Sequence, residues 1–157
     1  MTIVSDNRKL IYKICRTYCN DTANRRDLEQ EILTQLWLTC KKFDGRVKVT
    51  TWMYRIALNT AISFYRNDCK TKLKHTVLDS VILSLPIDDT DVILNENIKL
   101  LYTFIESLNE LDKALMLLYL DDNKYRDIAE ILGISETNVA TKIVRIKKVL
   151  KEKFENI

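Results

Sequence analysis

A chain of 157 residues suffices for one compact domain or two small ones, and its 46% hydrophobic and 30% charged content excludes a mainly disordered polypeptide. Only 2 Gly and 1 Pro argue against hairpins and tight turns, while no apolar run reaches the roughly 20 residues of a membrane span and the charged segment Met1 to Leu10 lacks a secretory signal; a cytoplasmic protein without membrane insertion of its own is expected. The formal net charge of +3 hides three blocks, +7 over residues 1–84, −7 over 85–123 and +3 over 124–157, a pattern suited to two nucleic-acid-binding modules joined by a segment that avoids nucleic acid.

In chain order, the first predicted helix runs from about Asn7 to Cys19, with Leu10, Ile11, Ile14, Cys15 and Tyr18 at helical spacing and Asp6 as its cap. Cys15 and Cys19 lie four apart and could share a metal ion, but no regular spacing supplies further ligands; together with Cys40 and Cys69 they are expected as reduced thiols. A second helix starts near Asn24 or Asp27 and continues to Lys42, burying Leu28, Ile32, Leu36, Cys40 and Phe43 and turning Asp27, Gln30, Glu31 and Thr34 to the other side. Gly45 marks a turn over Asp44 to Lys48, before a third helix from about Thr50 to Asn67 with Met53, Ile56, Ala57, Thr60 and Phe64 inward. Regularity then fails from Asp68 to Asp91, which reads as a linker whose apolar part, Val77 to Ile87, can dock on a partner or on either domain; the lone His75 among lysines is expected to face water.

Helical periodicity resumes from about Val92 to Ser107, using Ile98, Leu101, Tyr102 and Ile105, and again from Glu110 to Leu120. A short helix, Tyr125 to Leu132, then Gly133, then a long helix capped by Ser135 complete the chain. In that unit Ile128, Ala129, Leu132, Gly133, Ile134, Val139 and Ile143 stand as a helix-turn-helix requires: a small residue where the helices cross, a glycine for the left-handed turn, and apolar pins for the second helix. With those positions inward, Thr137, Asn138, Thr141, Lys142 and Arg145 lie outward near the start of a recognition helix, where Asn and Arg can pair with base edges and Thr can meet a thymine methyl. Lys142, Lys147 and Lys148 are placed to reach phosphates. The alternative is a helical hairpin with a solvated basic face.

The run Asp27-Leu28-Glu29-Gln30-Glu31, then Trp37, Phe43-Asp44-Gly45-Arg46 and Thr51-Trp52-Met53-Tyr54-Arg55-Ile56-Ala57-Leu58-Asn59 resembles region 2 of RNA polymerase sigma factors of the extracytoplasmic-function class, within the sigma-70 family. Leu108 to Leu120 and the helix-turn-helix resemble their region 4, so the likeness covers nearly all of Leu10 to Phe154. The resemblance implies an all-α fold of two small helical domains joined by a linker: 1–69 for region 2, 70–91 for the linker and 92–157 for region 4, the second domain a helix-turn-helix. It implies polymerase contacts by Asp27, Leu28, Gln30 and Glu31, with Trp37 in the same group though a large aromatic is more often core. It implies promoter −10 reading and melting by Arg46, Lys48, Trp52, Arg55, Asn59 and Arg66, of which Arg55, Asn59 and Arg66 share a helical face that Trp52 precedes by about one turn. It implies −35 reading by Thr137, Asn138, Thr141, Lys142, Arg145 and Lys148; Ala140, where many relatives carry a basic residue, departs from the pattern and removes a phosphate contact.

The expected function is that of a sigma factor, which binds core RNA polymerase, directs promoter recognition and promotes DNA opening, with an anti-sigma factor as a further partner. No catalytic residue, metal or cofactor is expected: no nucleophile-base pairing, phosphate-cradling glycine loop or metal-ligand spacing occurs. The alternative is a helix-turn-helix regulator that binds duplex DNA without polymerase, and it leaves the Asp27 to Asn59 motifs unexplained. A purely protein-binding helical adaptor is the remaining rival.

Overall fold

The structure, a computed structural model, describes residues 2–75 and 96–156. The described elements are helices: α1 (Thr2–Asp6), α2 (Arg8–Tyr18), α3 (Thr22–Thr39) with a 3-10 turn over Cys40–Lys42, α4 (Val49–His75), α5 (Glu96–Glu106), α6 (Glu110–Leu120), α7 (Tyr125–Leu132) and α8 (Glu136–Glu155). Asp6 ends α1 rather than capping α2; Asn7 takes the cap position without a side-chain bond, and its amide side chain donates to the Ile3 carbonyl instead. The cap of α3 is Asp21, whose carboxylate accepts from the Asn24 amide at 3.2 Å, so this helix starts several residues earlier than its apolar stripe indicates.

The N-terminal half packs Leu10, Ile11, Ile14 and Cys15 of α2 against Leu28, Ile32 and Leu36 of α3 and Met53, Ala57, Leu58 and Ala61 of α4. Of the expected stripe of α3, Cys40 is exposed because the chain tightens into the 3-10 turn there and rotates the residue off the core-facing side. Helix α4 runs on to His75, through residues 70–75 that the irregular sequence assigned to the linker. The rest of that linker and the start expected for α5, residues 76–95, lie outside the described residues, as do the side chains of Cys69 and His75.

The C-terminal half follows the expected bounds for α6 and α7. Its core unites Phe104 and Ile105 of α5, Ala114, Leu115 and Leu118 of α6, Ile128 and Ile131 of α7, and Val139, Ile143 and Ile146 of α8. Ile98 and Tyr102, expected inward on α5, are exposed, and Phe104 takes the inner place; Tyr102 instead carries the Arg16 guanidinium 5.7 Å from its ring centre. The two halves share one continuous core: α2 meets α5 and α6, while α4 meets α7. At this junction Lys113 is buried with its ammonium 4.8 Å from the Tyr65 ring centre and 5.9 Å from that of Tyr18.

Candidate nucleic-acid interface

The turn between α7 and α8 is built as the sequence requires. Gly133 sits at φ 68°, and its amide donates to the Ala129 carbonyl at 2.9 Å, with the Ile134 amide adding a second bond to the same oxygen at 3.2 Å. Ser135 then caps α8, its hydroxyl accepting from the Asn138 amide at 3.1 Å. With Val139, Ile143 and Ile146 buried, Thr137, Asn138, Thr141, Arg145 and Lys148 are all exposed, and Val144, 66% exposed, joins them on the outward face. Sequence reading had left Val144 out. Its isolation among polar neighbours is the signal, since an apolar side chain held in water on a recognition helix is suited to a thymine methyl.

Lys142 is placed differently. It is half-buried and its ammonium donates to Asp112 Oδ1 at 3.2 Å, while Arg145 lies 3.7 Å from Asp112 Oδ2. Asp112 itself is 4% exposed, in the first turn of α6, where Asn109 caps the helix through the Asp112 amide and also donates to its carboxylate at 2.9 Å. A buried carboxylate on one helix thus ties down two cations on one flank of the next. Lys147, on the opposite flank, donates to the Tyr119 hydroxyl and lies over its ring at 4.3 Å, and that bond holds its ammonium above the usual range.

The expected −10 residues gather along α4 and the turn before it. Gly45 turns at φ 74° while the Asp44 carboxylate accepts from the Arg46 amide at 3.1 Å and pairs with its guanidinium at 3.0 Å. Trp52 is half-buried with its ring 5.1 Å from that of Phe43, so it is neither a core residue nor free in solvent. Asn59 is exposed. The cations beside it meet the other half of the chain: Lys48 pairs with Asp127 at 3.9 Å, Arg55 donates to the Glu130 carbonyl at 2.8 Å, and Arg66 pairs with Glu110 at 3.6 Å.

On α3, Asp27, Gln30 and Glu31 are exposed and share one side. Leu28, expected among them, is fully buried and anchors the helix in the core, so its side chain offers a partner no surface. Trp37 is 71% and Leu38 54% exposed, extending the acidic side with an apolar edge; Leu38 was not anticipated, although its spacing of seven from Glu31 places it there. Cys15 and Cys19 are buried, and burial pushes the Cys15 thiol up to about 12, which leaves it un-ionised and a poor nucleophile at neutral pH.

Known proteins match the chain over both halves. The sequence fits Sigma-70 region 2 over residues 3–70 and Sigma-70, region 4 over residues 98–150. The chain is a member of the sigma-70 family, in its extracytoplasmic-function class. Among relatives, it is 28% identical to the RNA polymerase sigma factor YlaC of Bacillus subtilis (strain 168), covering 91% of this chain and 83% of that protein. It is 25% identical to the ECF RNA polymerase sigma factor SigW of the same organism, covering 99% and 88%. Two solved structures share the fold at 16% identity: the sigma factor RpoE in complex with the anti-sigma factor NepR from Bartonella quintana, at a TM-score of 0.72 over 97% of this chain and 94% of that one, and CnrH in complex with the cytosolic domain of CnrY, at 0.69 over 99% and 86%.

The sigma factor directs promoter recognition, and the polymerase-independent regulator is not favoured, because region 2 accounts for the N-terminal half. Its relatives are specificity subunits rather than enzymes. Among the described residues no helix is long and apolar enough to cross a membrane.

Proposed function

We propose that the sigma factor docks on core RNA polymerase in the cytoplasm through the acidic side of α3, with Asp27, Gln30 and Glu31 facing a basic element and Trp37 and Leu38 adding apolar contact. Carboxylates on one exposed face favour a cationic partner, and the apolar edge adds burial that such a face alone lacks. Helix α8 enters the major groove of the −35 element with Thr137, Asn138, Thr141 and Arg145 at base edges and Lys148 on phosphate. Lys142 reaches phosphate only by leaving Asp112. Helix α4 and its preceding turn take the −10 element, with Arg46, Lys48, Arg55 and Arg66 along the strand, Asn59 on a base edge and Trp52 offering its ring to an extruded base. The chain holds no catalytic centre of its own in this reading; phosphodiester chemistry stays with the polymerase. The solved sigma factor RpoE, which shares its fold, is in complex with the anti-sigma factor NepR, which supports a partner of that kind here.

The observation that carries this reading is the row Thr137, Asn138, Thr141, Arg145 and Lys148, exposed together on a helix whose opposite side is pinned by Val139, Ile143 and Ile146. Reconstitution with core polymerase and genome-wide mapping of transcript starts tests it. Discrete starts that core alone does not make are expected. Arg145→Ala should weaken use of the upstream element by about 10-fold or more, the worth of one bidentate base contact, and Trp52→Ala should spare closed-complex formation while slowing opening. Starts indistinguishable from those of core alone would overturn the assignment.

A further inference from the structure

One exposed valine on a protein surface is ordinary; Val144 is set apart by what surrounds it on α8. At about 100° per residue, Thr137, Thr141, Val144 and Lys148 follow a single line along the outward face, opposite the buried Val139, Ile143 and Ile146. The cations on either side of that line are anchored away from it. Asp112 holds Lys142 and Arg145 on one flank, and the Tyr119 hydroxyl and ring hold Lys147 on the other. Thr141 donates its hydroxyl proton to the Thr137 carbonyl at 2.9 Å, one turn back, so it has no donor left for a base edge. Ala140, half-buried beside Val144, adds a further methyl. The middle of the reading face is therefore a lane of Ala140, Thr141 and Val144 that carries neither charge nor a free hydroxyl proton.

We infer that Val144 is a specificity-determining residue for the −35 element, packing on the 5-methyl group of a thymine in the major groove, with Ala140 and Thr141 completing the apolar contact; this deepens, and rests on, the function proposed above for α8. Major-groove base edges offer hydrogen-bond donors and acceptors at every pair, and one apolar group, the thymine methyl. A lane without donors leaves the polar groups of a G·C pair unanswered, and it buries a methyl well. The reading face is thus divided by chemistry: Asn138 and Arg145 form a polar edge, about 80° to 100° around the helix from Thr137, and Val144 leads the apolar lane beside it.

The test uses holoenzyme assembled from core polymerase and the full chain, on a duplex bearing a mapped promoter. Each thymine of the −35 element, on either strand, is replaced in turn by deoxyuridine, which removes the methyl and keeps every hydrogen-bonding group. Fluorescence anisotropy reads affinity. Wild-type holoenzyme should lose about 4-fold at one of these positions, the worth of one buried methyl group. Val144→Ala should bind the unmodified duplex more weakly and lose nothing further on that same replacement, which is the coupling expected of groups in contact. Val149→Ala, at an exposed valine about 140° around the helix from Val144, should keep the full deoxyuridine effect. Equal losses in the wild type and Val144→Ala overturn the inference, as does a wild type indifferent to deoxyuridine at every position or a −35 element made only of G·C pairs. Arg145→Ala distinguishes these outcomes from failure of the reading beneath them. If it leaves use of the upstream element unchanged, α8 is not the −35 reader and the inference falls with that function; if it weakens that use while Val144 couples to no methyl, the function stands and the inference alone falls.

Discussion

Asp112 shows how one buried carboxylate can edit a binding face. The outward side of α8 carries Thr137, Asn138, Thr141, Val144, Arg145 and Lys148, and Lys142 would belong to it by composition, but Asp112 holds the Lys142 ammonium inward. Replacing Asp112 by Asn keeps the shape and removes the charge that binds both cations. Release of Lys142 should make the salt dependence of binding to a mapped promoter duplex steeper by about one unit of log-log slope, the signature of one added phosphate contact. The same substitution should lower stability by about 1–3 kcal/mol, because charge-assisted bonds at a buried site are lost. Denaturant melting and a salt titration check the two halves of this expectation, and an unchanged slope would show that Lys142 stays where it is without its partner.

At the scale of elements, the turn between α7 and α8 is the feature on which reading depends most. Ser135 closes the free amide of Asn138, and Gly133 turns the chain at a positive φ that a side chain would strain. Ser135→Ala should therefore cost about 1 kcal/mol and fray the first turn of α8, where Thr137 and Asn138 sit. Hydrogen exchange of the Asn138 amide should rise ahead of the buried Ile143 amide; equal protection of both would refute the role given to the cap. This part of the fold was legible beforehand because each signal is local: a glycine, a cap and three apolar pins within a few turns. The reading failed where local signals compete or tertiary packing decides. Asp6 resembles a cap but ends a short helix before α2, and Asp21 caps α3 where the apolar stripe pointed several residues later. Helix α4 is buried on more than one side, at Met53 and Ala57 and again at Tyr54 and Leu58, so its apolar pattern is broad and its end at His75 has no periodic marker. Phe104 displaced Tyr102 from the core for the same reason, since both fit a helical stripe and only the partner helices choose between them.

The junction of the two halves exists only at the scale of the whole molecule. Its contacts join residues far apart in sequence, such as Tyr54 with Asp121 and Tyr18 with Glu110, and no spacing rule connects them. Acidic and basic blocks were visible as a pattern; that one would lie on the other was not. The two tyrosines make the junction sensitive to alkali. Burial, reinforced by Glu110, raises the Tyr18 phenol well above its ordinary value of 10.0. Burial raises Tyr54 likewise, with the Asp121 carboxylate accepting a hydrogen bond from its hydroxyl and opposing its ionisation. Each phenol binds its proton more tightly in the folded chain than in the unfolded one, so the stability that depends on them is fully present below pH 10.0 and drains away as pH rises beyond it. Above pH 10.0 the halves should separate while each helix core persists, so scattering should report expansion before circular dichroism reports loss of helix. Tyr54→Phe removes one of the two phenols and should flatten that alkaline expansion in part, whereas an unchanged profile would place the sensitivity elsewhere.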